Sequence, residues 1–262
     1  MDNMADKRTS ANTQPPPSTK PSRFAPFRAQ QADSAAIAQA ARVDESKKPS
    51  VKRLTSEQSL DRRVLHVGCG AKSAARLHAA FKQPSWREIR FDIDETTAPD
   101  FTGSIVDMRS WIEDGSCDAI WASHVLEHLS RHEVPKALRE FRRVLAPTGF
   151  ALIRLPDLEK IAEFIVAGRA NEVVYHSPAG PITPIDMLFG HGASIERGQE
   201  SMRHGTGFSR DLLASDLIEA GFAEVRCTRT DTYEVWAAAF MPQAAVTRVL
   251  DALASTGLEL RA

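Results

Sequence analysis

Two short stretches of the chain carry residue types that could bind a nucleotide-like molecule. An apolar run ends in the turn Gly68-Cys69-Gly70, where glycine permits positive φ and lets a ligand approach the main chain. About twenty residues later, Asp92 and Asp94 end a second short strand. A carboxylate in that place can accept hydrogen bonds from both hydroxyls of a ribose. The two stretches together predict a cofactor pocket at the carboxyl ends of two neighbouring strands.

A third stretch, His124-Val-Leu-Glu127-His128, fits the H-x-x-E-H spacing of a class of zinc peptidases. In those enzymes, helical spacing places the metal ligands on one face of a helix. Here the stretch follows directly after a buried apolar strand, in a region where strands and helices alternate. That setting does not suit a helical zinc site, and we therefore predict no metal site.

The elements that must position these residues alternate along the chain. Period-two and continuous apolar runs predict strands at 64–67, 86–95, 105–108, 116–123, 150–155, 222–228 and 233–241. Helical spacing, caps and composition predict helices at 71–81, 131–145, 157–167, 209–220 and 243–256. Strands that alternate with helices imply parallel crossover connections, so the sequence predicts an α/β sheet.

Composition separates the N-terminal residues from the rest of the chain. Residues 1–58 contain three consecutive prolines, many polar residues and almost no apolar periodicity. Such a segment cannot bury enough surface to offset its chain entropy, which predicts a disordered or partly helical tail, with one helix possible at 30–43. Residues 59–262 are predicted to form the main domain. Its long connection at 168–208, rich in Gly, Pro and His, is predicted to be a lid-like insertion.

Charge and cysteine content narrow the classes of partner. Lys and Arg total 33 against 34 Asp and Glu, so no global field favours nucleic acid or an anionic membrane. Three cysteines, far apart and odd in number, suit free thiols in a reducing compartment. The longest apolar stretches fall short of the ~20 residues that span a bilayer. A cytoplasmic protein with no membrane partner is therefore the expectation.

Five motifs, in this order and spacing, resemble the class I S-adenosylmethionine-dependent methyltransferases, and the type 11 group most closely. The resemblance covers roughly residues 60–240, and the stretches 186–195 and 202–208 look like a bacterial branch of that group. The motifs are Val64-Leu-His-Val-Gly-Cys-Gly70, Phe91-Asp-Ile-Asp94, Val106-Asp107-Met108, Asp118-Ala-Ile-Trp-Ala-Ser-His-Val-Leu-Glu-His-Leu129 and Leu138-Arg-Glu-Phe-Arg-Arg-Val-Leu-Ala-Pro-Thr-Gly149.

The resemblance implies a Rossmann-like sheet of seven mostly parallel strands, with an antiparallel last strand and helices on both faces. It also implies S-adenosyl-L-methionine as cofactor. The residues implied to bind the cofactor are His66, Gly68, Cys69 and Gly70 at its methionine and ribose part, Asp92 or Asp94 at the ribose hydroxyls, Asp107 and Met108 at the adenine, and Ser123 and His124 at the edge where the methyl is presented. Two positions depart from the family pattern, because His66 stands where an acid is usual and Lys72 where a third glycine is frequent.

Methyl transfer asks mainly for alignment of the acceptor atom, the methyl and the sulfur, plus removal of a proton from a hydroxyl or amine. Histidine titrates near neutral pH, so His124, His191 and His204 are the candidate bases, with His128 as a further one. The acceptor is expected to be a small molecule or a cell-envelope saccharide, bound against the 168–208 insertion.

Two other classes of function remain open at this point. A nicotinamide-dependent Rossmann enzyme also uses a glycine turn and an acid after its second strand, but position 73, where its third glycine would stand, is Ser. A catalytically inactive module that binds S-adenosylmethionine or a partner is the second alternative.

Overall fold

The computed structural model describes residues 53–56 and 61–260, so the possible helix at 30–43 lies outside the described residues. The strands are β1 (Arg62–Val67), β2 (Trp86–Asp92), β3 (Phe101–Thr102), β4 (Cys117–Ser123), β5 (Leu145–Pro156), β6 (Tyr175–Ser177), β7 (Gly180–Ile182), β8 (Glu224–Arg229) and β9 (Glu234–Phe240). The helices are α1 (Val134–Val144), α2 (Leu158–Val166), α3 (Pro184–Phe189), α4 (Gly192–Glu196), α5 (Arg210–Glu219) and α6 (Val246–Ala254).

Seven of the strands form one sheet in the order β3-β2-β1-β4-β5-β9-β8. Strands β1 to β5 pair in parallel, whereas β9 runs antiparallel to both β5 and β8. The chain order reverses direction between β1 and β4, and ligands of open α/β sheets bind at the strand ends beside such a switch point. The predicted Rossmann-like fold with an antiparallel last strand is confirmed.

Apolar side chains cover both faces of the sheet. On one face, α1 and α5 pack through residues such as Phe141 and Leu217 against buried strand residues such as Ile120. On the other face, Trp121, Phe150 and Trp236 pack with α6 and with Phe81. The alternation of these two sets along each strand places helices on both sides of the sheet, as the sequence predicts.

The predicted helix at 71–81 is wrong. Residues 71–78 form turns, and only Ala79–Phe81 are helical, as a single 3₁₀ turn. Two backbone carbonyls that would accept hydrogen bonds within a helix accept them from distant side chains instead. Arg90 donates to the carbonyl of Gly70, and the Trp121 indole donates to that of Arg76 at 2.8 Å. Helix propensity is a weak preference that such contacts override.

The predicted third strand at 105–108 is also wrong. β3 lies earlier, at Phe101–Thr102, where Phe101 pairs with Phe91. Residues 104–107 turn instead, because the backbone nitrogen of Asp107 donates to the carbonyl of Ser104 at 3.2 Å. The turn sends Met108 into the core.

The segment from 168 to 208 has structure of its own. The β6–β7 hairpin, α3 and α4 fill it, and Ile182 and Met187 pack on Ile161 of α2 in a small separate core. The end of the segment lies beside the start of α2, because Leu158 N donates to the carbonyl of Phe208 at 2.9 Å.

Residues 53–56 fall inside the predicted tail but contact the sheet domain. The backbone nitrogen of Leu54 donates to the carbonyl of Trp111 at 2.8 Å. The domain boundary itself stays a prediction. Within the described ranges, no helix has the length and hydrophobicity needed to cross a membrane.

Candidate cofactor and acceptor site

The turn after β1 depends on both of its glycines. Gly68 and Gly70 each have φ of 59°, in the left-handed region that disfavours residues with a Cβ. A Cβ on Gly68 would lie 2.6 Å from Val125 Cγ2, and one on Gly70 would lie 2.8 Å from Arg76 Nη1. The turn is therefore packed between the segment that follows β4 and the guanidinium of Arg76.

Asp92, at the end of β2, holds this turn. Its Oδ2 atom accepts from the backbone nitrogen of Gly70 at 2.7 Å, and its Oδ1 atom accepts from that of Asp94 at 2.9 Å. Asp94 itself is exposed, and its carboxylate accepts from Thr96 N at 2.9 Å, which caps the next turn. Between them, Ile93 is 67% exposed. Of the two predicted ribose ligands, Asp92 is the one joined to the glycine turn.

Two arginines, which sequence reasoning missed, flank the turn. The buried Arg90 guanidinium donates to the carbonyls of Gly70, Thr97 and Ala98, so it ties the turn to the loop after β2. Arg76 is exposed, and its guanidinium lies against Gly70. The sequence offered little signal for either, because an arginine in a strand or a loop usually indicates a solvated surface.

His66 and Cys69 point into the interior. The Nδ1 atom of His66 lies 2.6 Å from Oε1 of Glu88 on β2, so the acid missing at position 66 is present next to it, on the neighbouring strand. Cys69 is 1% exposed, and burial raises the pKa of its thiol to about 11. Any part they play in binding the cofactor remains a prediction.

Asp107 and Met108, implied to contact adenine, lie in very different surroundings. Asp107 is on the surface, and its carboxylate accepts two hydrogen bonds from the Arg109 guanidinium, which lower its pKa to about 2. Met108 is 0% exposed. The turn at 104–107 replaces the predicted strand and buries the methionine, and the contact of either residue with adenine stays a prediction.

His124, directly after β4, lies between two carboxylates. Its Nδ1 is 3.2 Å from Glu127 Oε1, and its Nε2 is 3.2 Å from Glu234 Oε1. Burial lowers the pKa of His124, but hydrogen bonds to the two carboxylates outweigh burial and raise it to about 9. A protonated imidazole cannot accept a proton, so this geometry disfavours His124 as the base. The neighbouring Ser123 Oγ accepts from Arg154 Nε at 3.0 Å.

His204, at the end of the insertion, meets the segment after β4. The rings of His128 and His204 are 4.9 Å apart, and the backbone nitrogens of Gly205 and Thr206 donate to the carbonyl of Glu127 at 2.8 and 3.2 Å. Burial lowers the pKa of His204. The structure thus brings the predicted residues His124 and His204 next to the same carboxylate, that of Glu127.

His191, the third candidate base, makes its hydrogen bond within the insertion. It is buried, and its Nδ1 atom lies 2.8 Å from Ser194 Oγ. Its role as a base stays a prediction.

Arg154 and Glu234, on adjacent strands, complete the charged cluster around His124. The Arg154 guanidinium lies 5.4 Å from the ring centroid of Trp236, and its Nε is 3.6 Å from Glu234 Oε1. Sequence reasoning missed both residues, although a charge at either end of an otherwise apolar strand is a signal for a site at the sheet edge.

The seven-strand order with β9 antiparallel, together with a left-handed glycine turn fastened to an acid at the end of β2, defines a class I S-adenosylmethionine-dependent methyltransferase. Residues 65–153 match a family model described as a methyltransferase domain, of the type 11 group. The antiparallel β9 does not suit the dinucleotide-binding sheet of a nicotinamide enzyme, so that alternative is not supported.

Solved structures of other proteins are similar to this chain at low identity. An S-adenosylmethionine-dependent methyltransferase from Archaeoglobus fulgidus is 14% identical with a TM-score of 0.45, over 69% of this chain and 86% of that one. A possible histamine N-methyltransferase from Thermotoga maritima is 14% identical with a TM-score of 0.44, over 68% and 82%. The PH0226 protein from Pyrococcus horikoshii is 14% identical with a TM-score of 0.47, over 69% and 82%. No curated protein matches the chain.

The residues around the glycine turn fit S-adenosylmethionine. Each carboxylate oxygen has two lone pairs, so Asp92 can accept ribose hydroxyls in addition to its two backbone N–H groups. The exposed side chain of Ile93 offers apolar surface for a base, and the Arg76 guanidinium beside Gly70 offers a cation for the methionine carboxylate.

Proposed function

We propose that this methyltransferase acts on a small acceptor held between the segment after β4 and the insertion, and that the acceptor is a hydroxyl-bearing molecule such as a cell-envelope saccharide. The observation that carries the proposal is the contact of His204 with His128. It joins the end of the insertion to the segment that edges the cofactor pocket, so an acceptor bound by the insertion lies next to that pocket.

The cofactor, when bound, supplies a methyl group on a positively charged sulfur. The work of the protein is then to orient two molecules, which can supply a large part of the rate enhancement. In our proposal Asp92 holds the ribose, Arg76 pairs with the methionine carboxylate, and the packed turn at Gly68 fixes the distance of the cofactor from the segment after β4.

The side chains near the proposed acceptor position suit a polyhydroxyl compound. Glu234 offers carboxylate oxygens that accept from hydroxyls, and Arg154 offers donors. In the insertion, Tyr175 is 44% exposed and Phe189 is 63% exposed. Exposed aromatic rings of this kind suit the apolar face of a sugar ring, because they offer large apolar area of defined orientation.

The first test is calorimetric titration of the full chain with S-adenosylmethionine and S-adenosylhomocysteine. Specific 1:1 binding of both is expected, and absence of binding would overturn the proposal. The second test incubates the protein with methyl-labelled cofactor and separate panels of envelope saccharides, small hydroxylated compounds, proteins and nucleic acids. We expect label in the first or second panel. Label only in protein or nucleic acid would contradict the proposed acceptor class.

A variant pair then locates the acceptor. Phe189→Ala should raise the KM for the acceptor and leave cofactor affinity unchanged, because Phe189 belongs to the insertion. Ile218→Ala is the matched control, since Ile218 is an exposed apolar residue on α5, outside the insertion. Equal effects of the two substitutions would remove the insertion from the acceptor site. Cofactor binding with no transfer to any panel would favour the inactive module instead.

A further inference from the structure

Glu127 carries a buried oxygen that the methyltransferase function does not explain. The residue is 1% exposed, and its Oε1 atom contacts Nδ1 of His124. Its Oε2 atom is buried and has no hydrogen-bond partner among residues 53–56 and 61–260. A buried carboxylate oxygen without a partner costs free energy, so this atom is expected to have a ligand in the working protein.

Two histidine rings next to Glu127 are oriented to offer lone pairs. The Nδ1 atom of His128 lies 3.0 Å from the carbonyl of Arg203, and the Nδ1 atom of His204 lies 2.9 Å from the carbonyl of Met187. Carbonyl oxygens only accept, so each Nδ1 carries the proton, and in the neutral ring Nε2 is left with a lone pair. A backbone carbonyl that fixes the histidine tautomer in this way is the usual outer shell of a metal ligand.

We propose that Glu127, His128 and His204 bind a divalent transition-metal ion of the zinc type. One ligand atom from each residue lies within 4.8 Å of the others. Ligand atoms at about 2.0–2.1 Å from the ion in a tetrahedral site are about 3.3–3.5 Å from one another. The three side chains would therefore move slightly towards each other when the ion binds. Two imidazoles and one carboxylate are a ligand set that zinc accepts.

This set differs from the zinc pattern that the sequence contains. The H-x-x-E-H spacing points to His124, but both ring nitrogens of His124 contact carboxylates. Its place is taken by His204, from the far end of the insertion, which no local spacing reveals. The sequence predicts no metal site because the pattern does not lie on a long helix. A site that the insertion completes does not need its ligands on one helix.

Three protein ligands leave one coordination position open. Glu127 and His204 also line a small cavity, together with Met187, Thr206 and Gly207, so a water molecule has a place beside the ion. The ion would coordinate Nε2 of His204. The lone pair of that atom would then not be free to accept a proton, so His204 could not act as the base. It would also fasten the insertion to the segment after β4. None of this depends on the identity of the acceptor.

The test uses the full chain without a histidine tag, freed of metal with a chelator and titrated with Co²⁺, whose visible absorption reports coordination by nitrogen and oxygen. We expect one Co²⁺ per chain, displaced by one Zn²⁺. His128→Ala and His204→Ala should each weaken binding by more than the ~10–100-fold that loss of an outer-shell group costs. His132→Ala is the matched control, because His132 is exposed and lies outside the cluster.

Circular dichroism of each variant shows whether it folds, and Glu127→Gln provides a third variant that preserves the shape of the side chain. Absence of Co²⁺ and Zn²⁺ binding to the folded wild-type chain would overturn the proposal. So would binding that all three ligand substitutions leave unchanged, or that His132→Ala weakens as much as His204→Ala does. Metal binding is measured without cofactor or acceptor, so its outcome is separate from that of the methyl-transfer experiments.

Discussion

The Oδ2 atom of Asp92 lies 2.7 Å from the backbone nitrogen of Gly70. The carboxylate proposed to hold the ribose is therefore the same group that holds the glycine turn. This coupling means that the shape of the turn and the affinity for the cofactor change together when Asp92 is altered.

We expect Asp92→Ala to weaken S-adenosylmethionine binding by at least about tenfold, because hydrogen bonds to a charged group contribute about 1.5–3 kcal/mol. Calorimetry measures the affinity. Asp94→Ala is the control and should change it little, since the Asp94 carboxylate mainly caps a surface turn. Unchanged affinity in Asp92→Ala, with a loss in Asp94→Ala, would move the ribose contact to Asp94.

Gly68→Ala is expected to destabilise the fold through two effects. The left-handed backbone costs a residue with a Cβ about 1–2 kcal/mol, and the new Cβ would lie 2.6 Å from Val125 Cγ2. Val125→Ala in the same chain should recover the steric part and leave the backbone part. Urea unfolding of the single and double variants gives the coupling free energy, and strictly additive losses would contradict the steric contact.

His78 should make stability depend on pH. Burial, together with the charges of Arg154 and Lys82, lowers its pKa from 6.5 to about 4, while its Nδ1 accepts from Ala80 N at 3.3 Å. The unfolded chain therefore takes up a proton first as pH falls. The stability that neutral His78 contributes is complete above pH 6.5 and is lost as pH falls towards about 4.

The free energy of unfolding, measured at a series of pH values, tests this. The slope due to His78 should stay below about 1.4 kcal/mol per pH unit, the value for one proton. His78→Gln should flatten the curve in this range, whereas His132→Gln, at an exposed position, should leave it unchanged. Identical curves for wild type and His78→Gln would show that His78 titrates normally.

Asp157 links three parts of the domain. It is 0% exposed, its Oδ1 caps α2 by accepting from the backbone nitrogens of Glu159 and Lys160, and its Oδ2 accepts from Arg229 of β8. Loss of a cap alone costs about 0.5–2 kcal/mol, so Asp157→Ala should cost more, because it also leaves Arg229 without this carboxylate. Asp211→Ala, at an exposed carboxylate on α5, should have little effect in the same unfolding assay.

Local patterns in the sequence predict most of the sheet but not the turns that follow Gly70. β1, β2, β4 and β5 follow from apolar runs, and Ser209 caps α5 as predicted. The conformation of segment 71–81 could not be predicted in this way. One of its backbone carbonyls and that of Gly70 accept hydrogen bonds from Trp121 and Arg90, respectively, which are distant in the chain.

The same limit applies to the site. Asp92 and the glycines lie in local motifs, so a sequence can point to them, whereas the contact of His204 with His128 depends on where a long insertion returns. Within the insertion, the capping box of Thr183 and Asp186 is a local sequence pattern that indicates the start of α3. No spacing in the sequence indicates which residues the insertion then meets.

Helix α2 and the insertion together leave the sheet at Leu158 and return to it at Phe208, and the backbones of these two residues are hydrogen-bonded to each other. Because the two attachment points coincide, the sheet places no demand on the length of the chain between them, and the entropy of closing a loop grows only slowly with its length. The part of the enzyme that we propose to face the acceptor is thus an exchangeable module. A foreign segment that preserves both attachment points could be grafted there to change which molecule is methylated, while the cofactor half is kept.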